Sequence, residues 1–304
     1  MAKIKGVRMK AIRSIYPFKS RYWELPGRKK CRMHYLDEGQ GEPVVMLHGN
    51  PTWSFFYRKL VQFLKPMYRC LVPDHIGCGL SDKPQNYSYC LQQHVNNTLD
   101  WLKALNIGHF HLVVHDWGGA IGMGIATHWP ASVQTLTVLK SAAFLSEKIP
   151  FRIELCRFPW LGSWAIRHLN LFARAATWMA TTQGLPKQVK QGYLYPYRNV
   201  QSRIAIDAFV KDIPMSPDHP SYDFLKQIQD SLWLLEQKPC LLAWGMRDFC
   251  FTPEFLSIWR NYFPGAKVCC FENAGHYILE DATEEVNVNI RQFLIKNPLT
   301  VSKL

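Results

Sequence analysis

The segment Val114-His115-Asp116-Trp117-Gly118-Gly119 joins an apolar run, His109 to His115, to a stretch of small residues. A carboxylate at such a junction can cap the helix that follows it. It can also be presented on a sharp turn as a nucleophile. A carboxylate nucleophile attacks saturated carbon in an SN2 step and leaves an alkyl ester on the enzyme. Water activated by a histidine then attacks the carboxyl carbon of Asp116, and the backbone N–H of Trp117 is placed to steady the oxyanion. Further residues favour the nucleophile. His276, in Asn273-Ala274-Gly275-His276, lies between the last strand-like run and the last amphipathic stretch, where a general base is expected. Asp248 follows the run Pro239 to Trp244 and is the expected acid that orients His276. The other place for an acid, after Val133 to Leu139, reads Lys140-Ser141-Ala142 and carries no carboxylate. His48-Gly49-Asn50-Pro51 follows the run Pro43 to Leu47, and Asn50 is expected to give a second oxyanion N–H.

Short apolar runs alternate with amphipathic stretches, the pattern of a parallel sheet covered by helices on both faces. Strands are predicted at 43–47, 69–73, 109–115, 133–139, 239–244 and 266–271. Helices are predicted at 88–105, 117–128, 252–262 and 283–295. In 88–105 the apolar residues Leu91, Val95, Leu99, Leu102 and Leu105 recur at helical spacing. From Phe144 to Leu234 no strand-like run occurs, while Trp160, Trp164, Trp178, Phe158, Phe172 and Phe209 do. The reading is one α/β core, 1–143 with 235–304, and an inserted helical cap, 144–234. Its aromatics would roof a pocket or pack the cap on the core.

The formal net charge is +13, and the stretch through Arg32 holds eleven Lys or Arg against one acid, Glu24. This is a solvated basic arm, or a contact for an anionic membrane surface or for oligomerisation. No nucleic-acid motif accompanies it. The N-terminus has no apolar signal core, and no apolar run reaches membrane-spanning length, so a cytoplasmic location is expected, peripheral to the membrane at most. The nine cysteines include no CxxC pair and are expected to be reduced thiols. No cluster has metal-ligand spacing, and neither metal nor cofactor is expected.

The order nucleophile, acid, base matches the α/β-hydrolase fold, whose elbow G-x-S-x-G carries His115 for the first Gly here and Asp116 for Ser. The run HGNPTWSFFYRKL, with DHIGCGLSDKP, VHDWGG and GMRDFCFTP, resembles the haloalkane dehalogenases of that fold across nearly the whole chain outside the cap. The resemblance implies Asp116 as nucleophile, His276 as base and Asp248 as acid. It implies that the side chains of Asn50 and Trp117 donate N–H bonds to a departing halide. The activity implied is hydrolysis of a small hydrophobic haloalkane to alcohol, halide and a proton. Asn50 together with Asp248 resembles the third subtype of the family. That subtype is also similar to the β-lactone decarboxylases of bacterial olefin synthesis, which share the Asp, His and Asp, so alkene formation from a β-lactone is the alternative. Epoxide hydrolases need two cap tyrosines. Tyr193, Tyr195, Tyr197 and Tyr222 could supply them, but Asn50 stands where those enzymes usually carry an apolar residue. Non-catalytic relatives often lack a triad member, whereas all three are present here.

Overall fold

The structure is a computed structural model, and it describes residues 12–28 and 30–299. The basic residues up to position 10, on which much of the expected N-terminal contact falls, lie outside these. The eight strands are β1 (Arg21–Glu24), β2 (Arg32–Glu38), β3 (Glu42–Leu47), β4 (Tyr68–Pro73), β5 (Phe110–Asp116), β6 (Val133–Ser141), β7 (Cys240–Gly245) and β8 (Lys267–Phe271). They form one sheet in the order β1-β2-β4-β3-β5-β6-β7-β8. Pairing is parallel from β4 to β8 and antiparallel for β1 with β2 and β2 with β4. All six predicted strands are present, and β1 and β2 are additional. The predicted helices occur at Leu91–Ala104, Trp117–His128, Pro253–Tyr262 and Thr283–Lys296.

The central strands are buried on both faces, which is why they read as continuous apolar runs. Val45, Leu47, Leu112 and Val114 face one layer of the core, and Val44, Met46 and Val113 face the other. Each such side chain contributes roughly 1.5–3 kcal/mol by leaving water. The sheet is thus a rigid platform for whatever its strand ends carry.

Between β6 and β7 the described residues form only helices. Those at Leu161–Leu169, Leu171–Met179 and Ile204–Lys211 share a small core of Ile166, Ala173, Ile206 and Val210. The helix Tyr222–Asp230 packs on the main core instead, through Leu225 and Ile228. No described helix is long and apolar enough to cross a membrane.

Candidate active site

The site is built on the ends of β3, β5, β6, β7 and β8. β5 runs straight into the helix Trp117–His128, and the turn between them falls on Asp116, with φ +53° and ψ −127°. That is a costly conformation for a residue with a Cβ, of a kind that concentrates at functional sites. The register against β6 shifts between His115 and Asp116, and the Ser141 hydroxyl donates to the Asp116 carbonyl at 2.5 Å. The turn can be this tight because Gly118 follows it. A Cβ there would lie 2.0 Å from the Leu47 carbonyl oxygen. The Asp116 side chain makes no capping bond to the helix, so the capping role does not apply.

One carboxylate oxygen of Asp116, Oδ1, accepts the backbone N–H of Asn50 at 2.6 Å. The backbone N–H of Trp117 also points at this carboxylate. The loop comes so close because residue 49 is glycine: a Cβ there would lie 2.0 Å from Oδ1. The other oxygen, Oδ2, lies 3.7 Å from His276 Nε2. His276 Nδ1 lies 2.9 Å from Asp248 Oδ2, and the Cys250 N–H donates to Asp248 Oδ1 at 2.6 Å. His115, the unusual first residue of the elbow, lies with Nε2 2.9 Å from the His276 carbonyl and helps fix that loop. Asp116, His276 and Asp248 are therefore together, in the line expected of nucleophile, base and acid.

Burial pushes the Asp116 carboxyl above the usual range, although His276 and the two N–H groups pull it down. Burial would lower His276, yet Asp248 and then Asp116 hold it above its ordinary value. Burial would raise Asp248, but His276 and Lys140 keep it down at about 2. Asp248 is an ionised acceptor at every pH where the protein is expected to work.

Lys140 was absent from the candidate residues. It is fully buried at the end of β6, with Nζ 2.7 Å from the Gly245 carbonyl and 3.5 Å from Asp248 Oδ2. Burial lowers it to about 8, against the pull of Asp248. A lysine closing an apolar strand needs a buried counter-ion, and that was the available signal. Asp248, Cys250 and His276 bring donor atoms within 4.8 Å of one another. The Asp248 oxygen is already shared by His276 and Lys140, so this donor set does not suit a cation. Lys140→Met should cost about 3–5 kcal/mol, as for a broken buried pair. It should also move the His276 limb of the pH–rate profile upward, because a charge opposing protonation of the imidazole is gone. Thermal melts and the pH profile check both effects, and an unmoved limb would separate Lys140 from the His276 charge.

Asn50 and Trp117 both border the space above Asp116. The Asn50 side chain is partly engaged: Nδ2 donates to the Ile206 carbonyl of the insertion at 3.1 Å. Its Oδ1 is buried and has no partner among the described residues. The Trp117 ring packs on Phe209, with centroids 5.2 Å apart. Two apolar cavities meet over Asp116 and share Asn50, Ile153, Phe172 and Cys250. One, of about 160 Å³, runs past Phe144, Val210, Met215 and Phe255. The other, of about 270 Å³, runs past Leu155, Leu171, Met179 and Tyr277. Tyr193 is bonded to Glu280 and Tyr197 to Thr52, and none of the four candidate cap tyrosines lines either cavity.

This elbow on this sheet defines a class, and residues 42–283 match the model of the α/β-hydrolase fold family. The chain belongs to that family. Within it, the chain is 41% identical over 288 residues to a cis-3-alkyl-4-alkyloxetan-2-one decarboxylase of Shewanella oneidensis, covering 92% of this chain and 90% of the relative. It is 42% identical to the protein of the same name in Xanthomonas campestris, covering 90% and 96%. A haloalkane dehalogenase of Mycolicibacterium paratuberculosis is 33% identical, covering 89% and 91%. The crystal structure of an ancestral haloalkane dehalogenase shares the fold with a TM-score of 0.83 at 22% identity, covering 91% and 98%. The relatives thus include both activities anticipated from the sequence, with the decarboxylases at the higher identity.

Proposed function

We propose that this chain is a β-lactone decarboxylase that takes cis-3,4-dialkyl oxetan-2-ones and releases CO2 and an alkene, with Asp116 as nucleophile. The observation that carries this choice is the pair of apolar cavities diverging from Asp116. A ring with alkyl chains on two adjacent carbons has one chain for each branch, whereas a short haloalkane needs only one. The more similar relatives bear the matching name.

The hydrogen bonds select the atom attacked. The backbone N–H groups of Asn50 and Trp117 already hold Asp116 itself, so they do not serve an oxyanion on the substrate. They polarise the carbonyl of an Asp116 ester. Oδ2 therefore attacks C4 of the lactone, the saturated ring carbon bearing oxygen. The C4–O bond breaks and a carboxylate is freed on C3. That carboxylate then leaves as CO2. Its bonding pair forms the C3–C4 double bond, and Asp116 departs with the ester electrons. Charge balances, and no water or cofactor is consumed. Inversion at C4 followed by anti departure keeps the alkene cis. The Trp117 indole N–H and the second Nδ2 hydrogen of Asn50 receive the freed carboxylate.

The same groups support a second reading, haloalkane hydrolysis. An indole N–H at an apolar cavity suits a weakly hydrated halide, and His276 beside Oδ2 is placed to activate water. A paired assay separates the two. A cis-β-lactone with two medium-length chains should give alkene, and 1-bromobutane should give little bromide. Bromide release without alkene would overturn the proposal. Trp117→Phe should slow alkene formation by about 10²–10³-fold, the usual loss for one donor in a desolvated site. Full activity in that variant would remove the indole from the mechanism.

A further inference from the structure

The cap aromatics do not all do what the sequence suggested. Phe209 is buried and Phe172 lines the cavities, but Phe158, Trp160, Trp164 and Trp178 are exposed. Trp160 is 90% exposed and has φ +63°, a conformation disfavoured for a bulky residue. The turn thus holds a tryptophan in solvent at a conformational cost, with no burial in return. Leu161 and Trp164 line one surface hollow with Trp160, and Phe151 is exposed on the helix that leads to it. The helix Phe151–Arg157 has no buried residue at all. Exposed aromatics clustered in this way mark an interaction surface rather than ordinary scattered exposure.

The charge along this stretch of the chain is one-sided. Residues 148–211 carry ten Lys or Arg against two acids, Glu154 and Asp207. Arg152, Arg174 and Lys187 are exposed, and Lys190 sits over the Trp178 ring, 3.5 Å from its centroid. Tryptophans interleaved with basic side chains suit the interface of a bilayer, where ring and cation meet the headgroups. The face is also continuous with the cavities. Ile153, from the same helix, lines both of them, and Lys148 and Arg152 stand at one each.

We propose that this face of the cap docks on an anionic phospholipid surface, with the helix Phe151–Arg157 lying at the lipid and both cavities opening beside it. The docking rests on the surface alone and stands whichever substrate reaches Asp116. It adds a membrane contact on the cap to the one expected of the basic N-terminal stretch. A lipophilic substrate would then pass from the acyl layer along Ile153 to the nucleophile without crossing water.

Flotation of the full chain with vesicles tests this. Binding is expected to phosphatidylcholine vesicles containing phosphatidylglycerol, with weaker binding to phosphatidylcholine alone and a decline as salt rises. The triple variant Phe158→Ser, Trp160→Ser, Leu161→Ser should lose about tenfold or more in affinity, since three apolar side chains no longer leave water. A thermal melt matching the wild type would show that the variant is folded. Independently of any variant, brominated lipids should quench tryptophan fluorescence of the wild-type protein. Absence of vesicle binding, or binding untouched by the triple variant, would overturn the proposal. So would a stable dimer that the same substitutions dissolve, because the face would then be covered by a second copy.

Discussion

Asp116→Ala should abolish turnover of a cis-β-lactone, with a loss on the order of 10⁶ in rate, the size seen when the nucleophile of a triad is removed. The expectation comes from geometry. Asp116 is the residue on which the strand–helix turn, both N–H donors and the imidazole converge. No other described carboxylate lines either cavity. Alanine keeps the unfavourable positive φ and removes a carboxylate whose burial is costly, so the fold should persist. Circular dichroism and a thermal melt establish that. Steady-state alkene formation within tenfold of the wild type, in a preparation free of wild-type protein, would sink the mechanism and leave the fold untouched.

The parts of the molecule legible from sequence are those where one local rule decides the outcome. β3 to β7 are largely buried on both faces and show as apolar runs, while the edge strand β8 is half-exposed and shows by its apolar content alone. Asp116 stands out because a carboxylate after such a run, with glycines behind it, has few uses. β1 and β2 were not visible because the sheet edge relaxes that rule. Arg21–Glu24 is largely exposed, and Arg32–Glu38 mixes His34, Asp37 and Glu38 among apolar residues. The role of Lys140 was hidden for a different reason. Its partners Asp248 and Gly245 come from another strand end, and only the pairing of β6 with β7 brings them to it. The direction of the cap aromatics was hidden too. Composition counts tryptophans and does not say which face of a short helix carries them. Of the tyrosines that kept epoxide hydrolysis open, Tyr193 and Tyr197 are spent on structural bonds to Glu280 and Thr52.

His276→Ala is expected to give different results with the two substrates, and the difference reports the chemistry. With a bromoalkane, Asp116 alone can form the alkyl ester, and only its hydrolysis needs the imidazole. The variant should then make one turnover and stop, losing about 10²–10⁴ of its steady-state rate. Intact-mass spectrometry should show the alkyl group retained on the protein. With a β-lactone, the ester carries its own means of departure, the neighbouring carboxylate that leaves as CO2. No water is needed, so no adduct should accumulate. The imidazolium still matters, because it lies 3.7 Å from Oδ2 and favours the returning negative charge on Asp116. Asp248 and Asp116 hold that proton on against the effect of burial. Losing it should slow alkene formation by about 10- to 100-fold, the equivalent of a hydrogen bond to a charged group, about 1.5–3 kcal/mol. The pH dependence has the same sign. Lactone turnover by the wild type should fall as pH rises through the value at which His276 loses its proton, while bromoalkane hydrolysis, which needs the neutral base, should rise there. A stable covalent adduct from the lactone in His276→Ala would rule out departure by CO2 loss alone. It would instead make water activation by His276 part of both reactions.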